Sequence, residues 1–173
     1  RWWLGRWQFG NALLSRFPII ACRPVELPRL SVWEDLLAGS KQAFLATIQR
    51  TAEQQIDILV VHLEPRSEAI RVAAAKQILH LQQAGRRPLI IAGDFNDWRN
   101  LGGHRLATEL GLAEAFRDHH GKPARSFPST LPMLRLDRIY LRRFQVRHAE
   151  VHHGLPWSRI SDHAALSAHL ELR

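Results

Sequence analysis

Residues 88–98 read PLIIAGDFNDW. Leu89 to Ala92 form a short apolar run of the kind buried inside a sheet. Gly93, Asp94, Asn96 and Asp97 then stop it abruptly. An acid and an amide at the end of a rigid strand can be held still for chemistry. The same design recurs along the chain. Residues 56–63 (IDILVVHL) are an apolar, β-branched run that carries His62. Residues 136–141 (LDRIYL) carry Asp137, and Ser161-Asp162-His163 stand just before the last apolar stretch, 165–172. Singly, each has a bland reading as a loop turn, a local cap or a core histidine. Their joint placement at strand ends points to a site.

Working outward, residues 11–21 read as a strand interrupted by a turn at Arg16-Phe17-Pro18. Residues 22–40 read as a connection holding at most a short helix at 32–37, because Pro24, Pro28, Gly39 and Ser40 punctuate it. Residues 41–50 place Phe44, Ala46 and Ile48 on one face at period two, and TAEQQ (51–55) suits a hairpin loop before the next strand. Ile70, Ala73, Ala74, Gln77, Ile78 and Leu81 predict a helix over 67–84, bounded by Pro65 and Gly85. A second helix is expected over 101–110. Late strands are expected over 136–141, 145–151 and 165–172. Mixed strands and helices mark a layered α/β (α+β) domain.

The chain has 173 residues, ordinary for one domain. Apolar residues make up 46% and charged residues 23%, which excludes a disordered or collagen-like chain. No run reaches the roughly 18 apolar residues that span a bilayer. A single cysteine, Cys22, excludes an intrachain disulfide and a Cys-based zinc site. There is no HExxH motif, which argues against zinc protease chemistry. The net charge is +8, and 21 of the 24 cations are arginine. Guanidinium suits phosphate, so an anionic partner is one reading of this balance; the scatter of the arginines fits background composition equally well.

GNALLSRFPI (10–19), VVHL (60–63), LIIAGDFNDW (89–98), LDRIYL (136–141) and SDHAALSAHLEL (161–172) occur in a telling order. It resembles that of the endonuclease/exonuclease/phosphatase superfamily of DNase I-like, metal-dependent phosphoesterases. ARSFPSTLPMLRLDRIYL and PWSRISDHAAL are most similar to an uncharacterised bacterial branch of it. The resemblance implies a four-layer sandwich of two β-sheets flanked by helices, with Mg²⁺ or Mn²⁺ as cofactor. It implies a phosphodiester substrate, nucleic acid being favoured by the basic charge. A phospholipid or other small phosphodiester is the rival substrate, and a non-catalytic basic binding module is the rival function.

Roles follow by motif. The resemblance makes Asp94 the acid that activates or orients the attacking water, and Asn96 the amide that holds that water or a phosphoryl oxygen. Asp162 becomes a metal-side carboxylate, with Asp94 beside it. His163 becomes the donor to the phosphoryl group, Asp137 the acid that orients His163, and His62 a second histidine near the scissile phosphate. Asn11, Arg138 and Trp98 are candidates for substrate binding. The chemistry is coherent: a phosphodiester repels hydroxide, and a hard cation on carboxylate oxygens neutralises that charge. A carboxylate can take the water's proton while an imidazolium meets the developing negative charge.

Two family motifs have no counterpart before residue 10: a strand ending in Asn, and a strand ending in Gln-Glu whose Glu binds metal. The expectation is a single domain over 1–173, incomplete at its N-terminus. It should lack strands of one sheet, expose apolar edges, bind metal weakly and hydrolyse little by itself. A monomer and a cytoplasmic location are also expected.

Overall fold

The computed structural model describes residues 10–28, 43–63, 67–82, 85–97 and 107–173. Eight strands build two sheets. β1 (Ile19–Val25), β2 (Ala43–Thr51), β3 (Gln54–His62), β4 (Leu89–Asp94), β5 (Ala113–Glu114) and β6 (Asp137–Arg142) form a six-stranded sheet in the order β1-β2-β3-β4-β6-β5. β7 (Phe144–His152) and β8 (Ala165–Leu172) form an antiparallel pair. α1 (Glu68–Gln82) and a single short turn of helix, α2 (Ala115–His120), complete the named elements. The mixed α+β architecture with two sheets and few helices agrees with the expected fold class.

The chemistry of each strand explains its place. β2 and β3 are joined by Ala52-Glu53 alone, so the hairpin is tighter than the TAEQQ loop expected, with Thr51 paired to Gln54. β3 and β4 run parallel, which requires a crossover, and α1 provides it. Ser67 caps α1: its Oγ accepts from the Ile70 N–H at 3.3 Å.

Two apolar layers sandwich the large sheet. On one face Leu59, Val61, Leu89, Ile91 and Tyr140 pack with Ala74, Ala75 and Ile78 of α1. On the other, Ile48, Ile56, Leu141, Ile90 and Ile139 pack with Phe144, Ala149, Leu166 and Leu170 of the small sheet and with Phe116 of α2. Ile78 has no exposed surface. Ile78→Ala is expected to cost about 2–5 kcal/mol, read by urea unfolding, because the cavity lies between helix and sheet. The one acid inside β3, Asp57, is buried but satisfied. Thr47 Oγ1 donates to it at 2.8 Å and Arg87 Nη1 approaches at 3.4 Å.

One expectation needs correction here. The first strand is Ile19–Val25, not 11–21, so it continues through Pro24. Among the described residues β1 is the sheet's outer strand and pairs only with β2, where the missing proline N–H is tolerated. Residues 10–15 lie outside regular structure. β5 and α2 had no sequence signal. They occupy a span with too little periodicity, and α2 is set by its caps: Glu114 Oε2 accepts from the Arg117 N–H at 2.8 Å, and Gly121 closes it at φ 75°. The expected helix at 32–37 lies outside the described residues. Of the one expected at 101–110, residues 107–109 are helical and 101–106 lie outside the described residues.

Candidate active site

The sheet register brings three of the expected residues together. His62 ends β3, Asp94 ends β4 and Asp137 begins β6. β3 and β4 pair His62 with Asp94, and β4 and β6 pair Asp94 with Asp137. The three residues therefore stand side by side at one end of the sheet. Strand alternation puts them on the face shared with Ile58, Ile90 and Ile139, which looks toward the small sheet.

Local chemistry fixes each group. Gly93 has φ 140°, and a Cβ there would lie 1.9 Å from the Val61 carbonyl oxygen. Only glycine lets β4 close on β3 just before Asp94. Asn96 sits at φ 48°, a left-handed conformation that asparagine tolerates. It folds back on Asp94: its backbone N–H donates to Oδ1 at 2.8 Å and its Nδ2 to Oδ2 at 3.1 Å. Nδ2 also donates to the Leu63 carbonyl at 2.9 Å, joining the ends of β3 and β4. The His62 Nε2 lies 3.7 Å from Asp94 Oδ2.

His163 reaches this row from the loop before β8. Its Nδ1 hydrogen-bonds Asp137 Oδ2 at 2.7 Å. With Asp137 ionised, Nδ1 is the donor, and Nε2 is the nitrogen left for a substrate. The Phe127 ring packs on the imidazole, centroids 5.0 Å apart. The Ser126 hydroxyl, wholly buried, accepts from the Asp137 N–H at 3.2 Å. Ser129 N–H donates to the Asp162 carbonyl at 2.7 Å, and its hydroxyl donates to the Ser161 carbonyl at 2.6 Å. Sequence reading assigned Ser126, Phe127 and Ser129 no role in the site. Their only signal was position within ARSFPSTLP, which has no residue type peculiar to catalysis.

The electrostatics are those of a crowded acidic row. Burial first, and the Asp137 carboxylate second, push the Asp94 carboxyl above its ordinary range. The Asn96 N–H, His62 and His163 pull against this. The hydrogen bond from Asp137 raises His163 above an ordinary imidazole; burial opposes it, and the charges of Asp137, Asp94 and Asp162 reinforce it.

The remaining candidates fall differently. Asp162 is exposed, directly beside His163 in sequence. Asn11 is half-buried outside any strand. Trp98 lies outside the described residues. Arg138 does not fit a substrate-binding role: it is 1% exposed and alternates onto the α1 face with Tyr140, away from Asp137. There its charge acts on buried Glu114 and on Tyr140, and its Nη1 donates to the Asp137 carbonyl at 3.1 Å. It lies buried behind the sheet. Asp97 is also buried.

The donors suit a hard cation. They are carboxylate oxygens, and the repulsion felt by Asp94 is a charge that a cation would relieve. Among the described residues no group of three or more His, Cys, Asp or Glu is placed to hold a metal ion.

The sequence profile of the Endonuclease/Exonuclease/phosphatase family matches residues 3–163. The uncharacterized protein YbhP of Escherichia coli (strain K12) is 37% identical over 169 residues, covering 94% of this chain and 63% of that protein. The chain thus spans less than two thirds of that relative's length. The catalytic domain of human Nocturnin, solved with a bound sulfate anion, superposes with a TM-score of 0.71 at 23% identity, over 91% of this chain and 60% of that one. D. rerio TDP2, solved with a single-strand DNA product, superposes with a TM-score of 0.68 at 16% identity, over 90% and 68% of the two chains. These structural likenesses establish the shared DNase I-like fold.

Proposed function

Because the chain belongs to the endonuclease/exonuclease/phosphatase family, we propose that it carries the reacting groups of a Mg²⁺- or Mn²⁺-dependent phosphodiester hydrolase. One observation carries this reading. Asp94 and a His163–Asp137 pair bonded at 2.7 Å meet at the ends of adjacent strands.

The division of labour follows from the environments. Asp94, clamped through both oxygens by Asn96, orients the attacking water and receives its proton. His163, whose protonated form Asp137 favours, donates from Nε2 to the phosphoryl oxygen as negative charge grows. The water oxygen bonds to phosphorus, the ester oxygen leaves, and the leaving oxygen takes up a proton. His62 stands beside Asp94 to hold the phosphate. A divalent cation, when bound, neutralises the phosphoryl charge and stabilises the leaving oxygen, with Asp94 and Asp162 among its ligands. The basic balance that favours nucleic acid also attracts other polyanionic surfaces, so charge alone does not choose the substrate.

The direct test is hydrolysis of bis(p-nitrophenyl) phosphate. Slow release of p-nitrophenol that needs Mg²⁺ or Mn²⁺, stops with EDTA and is lost in Asp94→Asn is the expected result. A rate indifferent to EDTA and to Asp94→Asn, or no hydrolysis under any metal, would overturn the reading.

The Asp137 carboxylate raises both Asp94 and His163, so its removal has a distinctive pH signature. The acid limb of the rate profile needs Asp94 ionised, and the alkaline limb needs His163 protonated. Asp137→Asn relieves the repulsion on Asp94 and removes the partner of His163. Both limbs should move to lower pH together, and the maximal rate should fall. A simple loss of folded enzyme would lower the profile without moving it, which makes kcat against pH the decisive measurement.

A further inference from the structure

Beside the site, two loops present apolar side chains to solvent. Residues 126–134 reverse direction, with a bridge between Phe127 and Leu134. At its tip Leu131 is 68% exposed and Met133 59%. Residues 154–160 contain a turn of 3₁₀ helix at Trp157–Arg159. In this loop Leu155 is 70% exposed and Ile160 75%, with Trp157 exposed between them. The loops are tied together and to the site: the Gly154 N–H donates to the Ser129 carbonyl at 2.8 Å, and Ser129 in turn holds Asp162. Of ten large apolar side chains exposed among the described residues, six lie on these two loops, so the exposure is concentrated at the site's edge.

Within the two loops and the residues flanking them the charge has one sign, and the acid Asp162 follows directly after them. Residues 121–135 carry Lys122, Arg125 and Arg135 and no acid. Residues 153–161 carry His153 and Arg159 and no acid. Lys122, Arg125, Arg135 and His153 line a cavity of about 410 Å³ together with Leu131 and Phe116.

We propose that the 126–134 and 154–160 loops are a docking rim that seats the protein on an anionic phospholipid bilayer. Apolar tips bury themselves at the headgroup–acyl boundary while neighbouring cations meet lipid phosphates. The side-chain types favour lipid over nucleic acid. Bases stack on aromatic rings, yet the most exposed tips here are the aliphatic or thioether side chains Leu131, Met133, Leu155 and Ile160. Trp157, the exposed Trp of these loops, already packs against His152, centroids 5.0 Å apart. A second copy is disfavoured because two like-charged rims repel. The rim needs nothing from the hydrolytic reading, and a docked protein would face its candidate site toward the bilayer.

The test is cosedimentation of the 173-residue chain with vesicles of phosphatidylcholine alone, or with roughly 30% phosphatidylglycerol to supply surface charge. Binding to the anionic vesicles, weak on the neutral ones, is expected. L131S/M133S/I160S and K122E/R125E should each weaken it about tenfold or more. Circular dichroism of both variants should match the parent, since every altered residue is exposed. Hydrolysis of bis(p-nitrophenyl) phosphate, measured alongside, reports on the catalytic reading independently. No binding to anionic vesicles, or binding unmoved by both variants, overturns the rim. So does tighter binding of a single-stranded oligonucleotide that the same variants abolish, or self-association without lipid that they abolish.

Discussion

His163→Ala is expected to lower the proposed phosphodiester hydrolysis by about 10²- to 10⁴-fold, the range a positioned general acid contributes. The effect should fall on kcat more than on KM, because the imidazolium matters most as charge builds on phosphorus. The geometry makes His163 a strong candidate: Nδ1 is bound to Asp137 at 2.7 Å and the ring is packed on Phe127. Its hydrogen bond to Asp137 also raises it above an ordinary imidazole, which favours the donor form. The fold should tolerate the change, since His163 lies in a loop and is partly exposed. Steady-state kinetics with matching circular dichroism decide the matter. A kcat within about threefold of the parent removes His163 from the chemistry.

Gly93→Ala should be the most destabilising single substitution in the sheet, at about 4 kcal/mol or more. Its Cβ would sit 1.9 Å from the carbonyl oxygen of Val61, its partner in the parallel ladder. Val61 cannot retreat, because it is buried in the core and paired on both sides, with Ala43 and with Gly93. Against a typical total stability of about 5–15 kcal/mol, such a loss leaves little folded protein at physiological temperature. Gly121→Ala is the control. Its φ is 75° but nothing lies within 4 Å of the added carbon, so only backbone strain of about 1–2 kcal/mol is expected. Urea unfolding followed by circular dichroism compares the two. Equal midpoints would show that the close approach of β3 and β4 is not rigid.

Much of the site was legible because strand ends advertise themselves. His62, Asp94 and Asp137 each interrupt or end an apolar run, and the parallel and antiparallel registers then align them without further signal. Arg138 shows how the same pattern misleads. In LDRIYL it follows Asp137 directly, and adjacent residues of a strand face opposite ways. One of the pair had to leave the site, and the apolar layers on either side determine which. Asn96 differs in emphasis from its expected role. Both hydrogens of its amide are spent on Asp94 and Leu63, so it holds the base as much as it could hold a water.

The sequence alone determined the mixed α+β class and the residues with reactive side chains, because those depend on local apolar period and on residue type at strand ends; the family was legible only through the resemblance of five ordered motifs. It could not determine partnership across the fold. Ser126, Phe127 and Ser129 meet the candidate site only because a loop 32 or more residues from Asp94 in sequence is folded against it. The basic, apolar rim beside His163 is likewise formed by two segments about 20 residues apart. Each is unremarkable alone, since exposure and proximity are properties of packing and not of the chain written out.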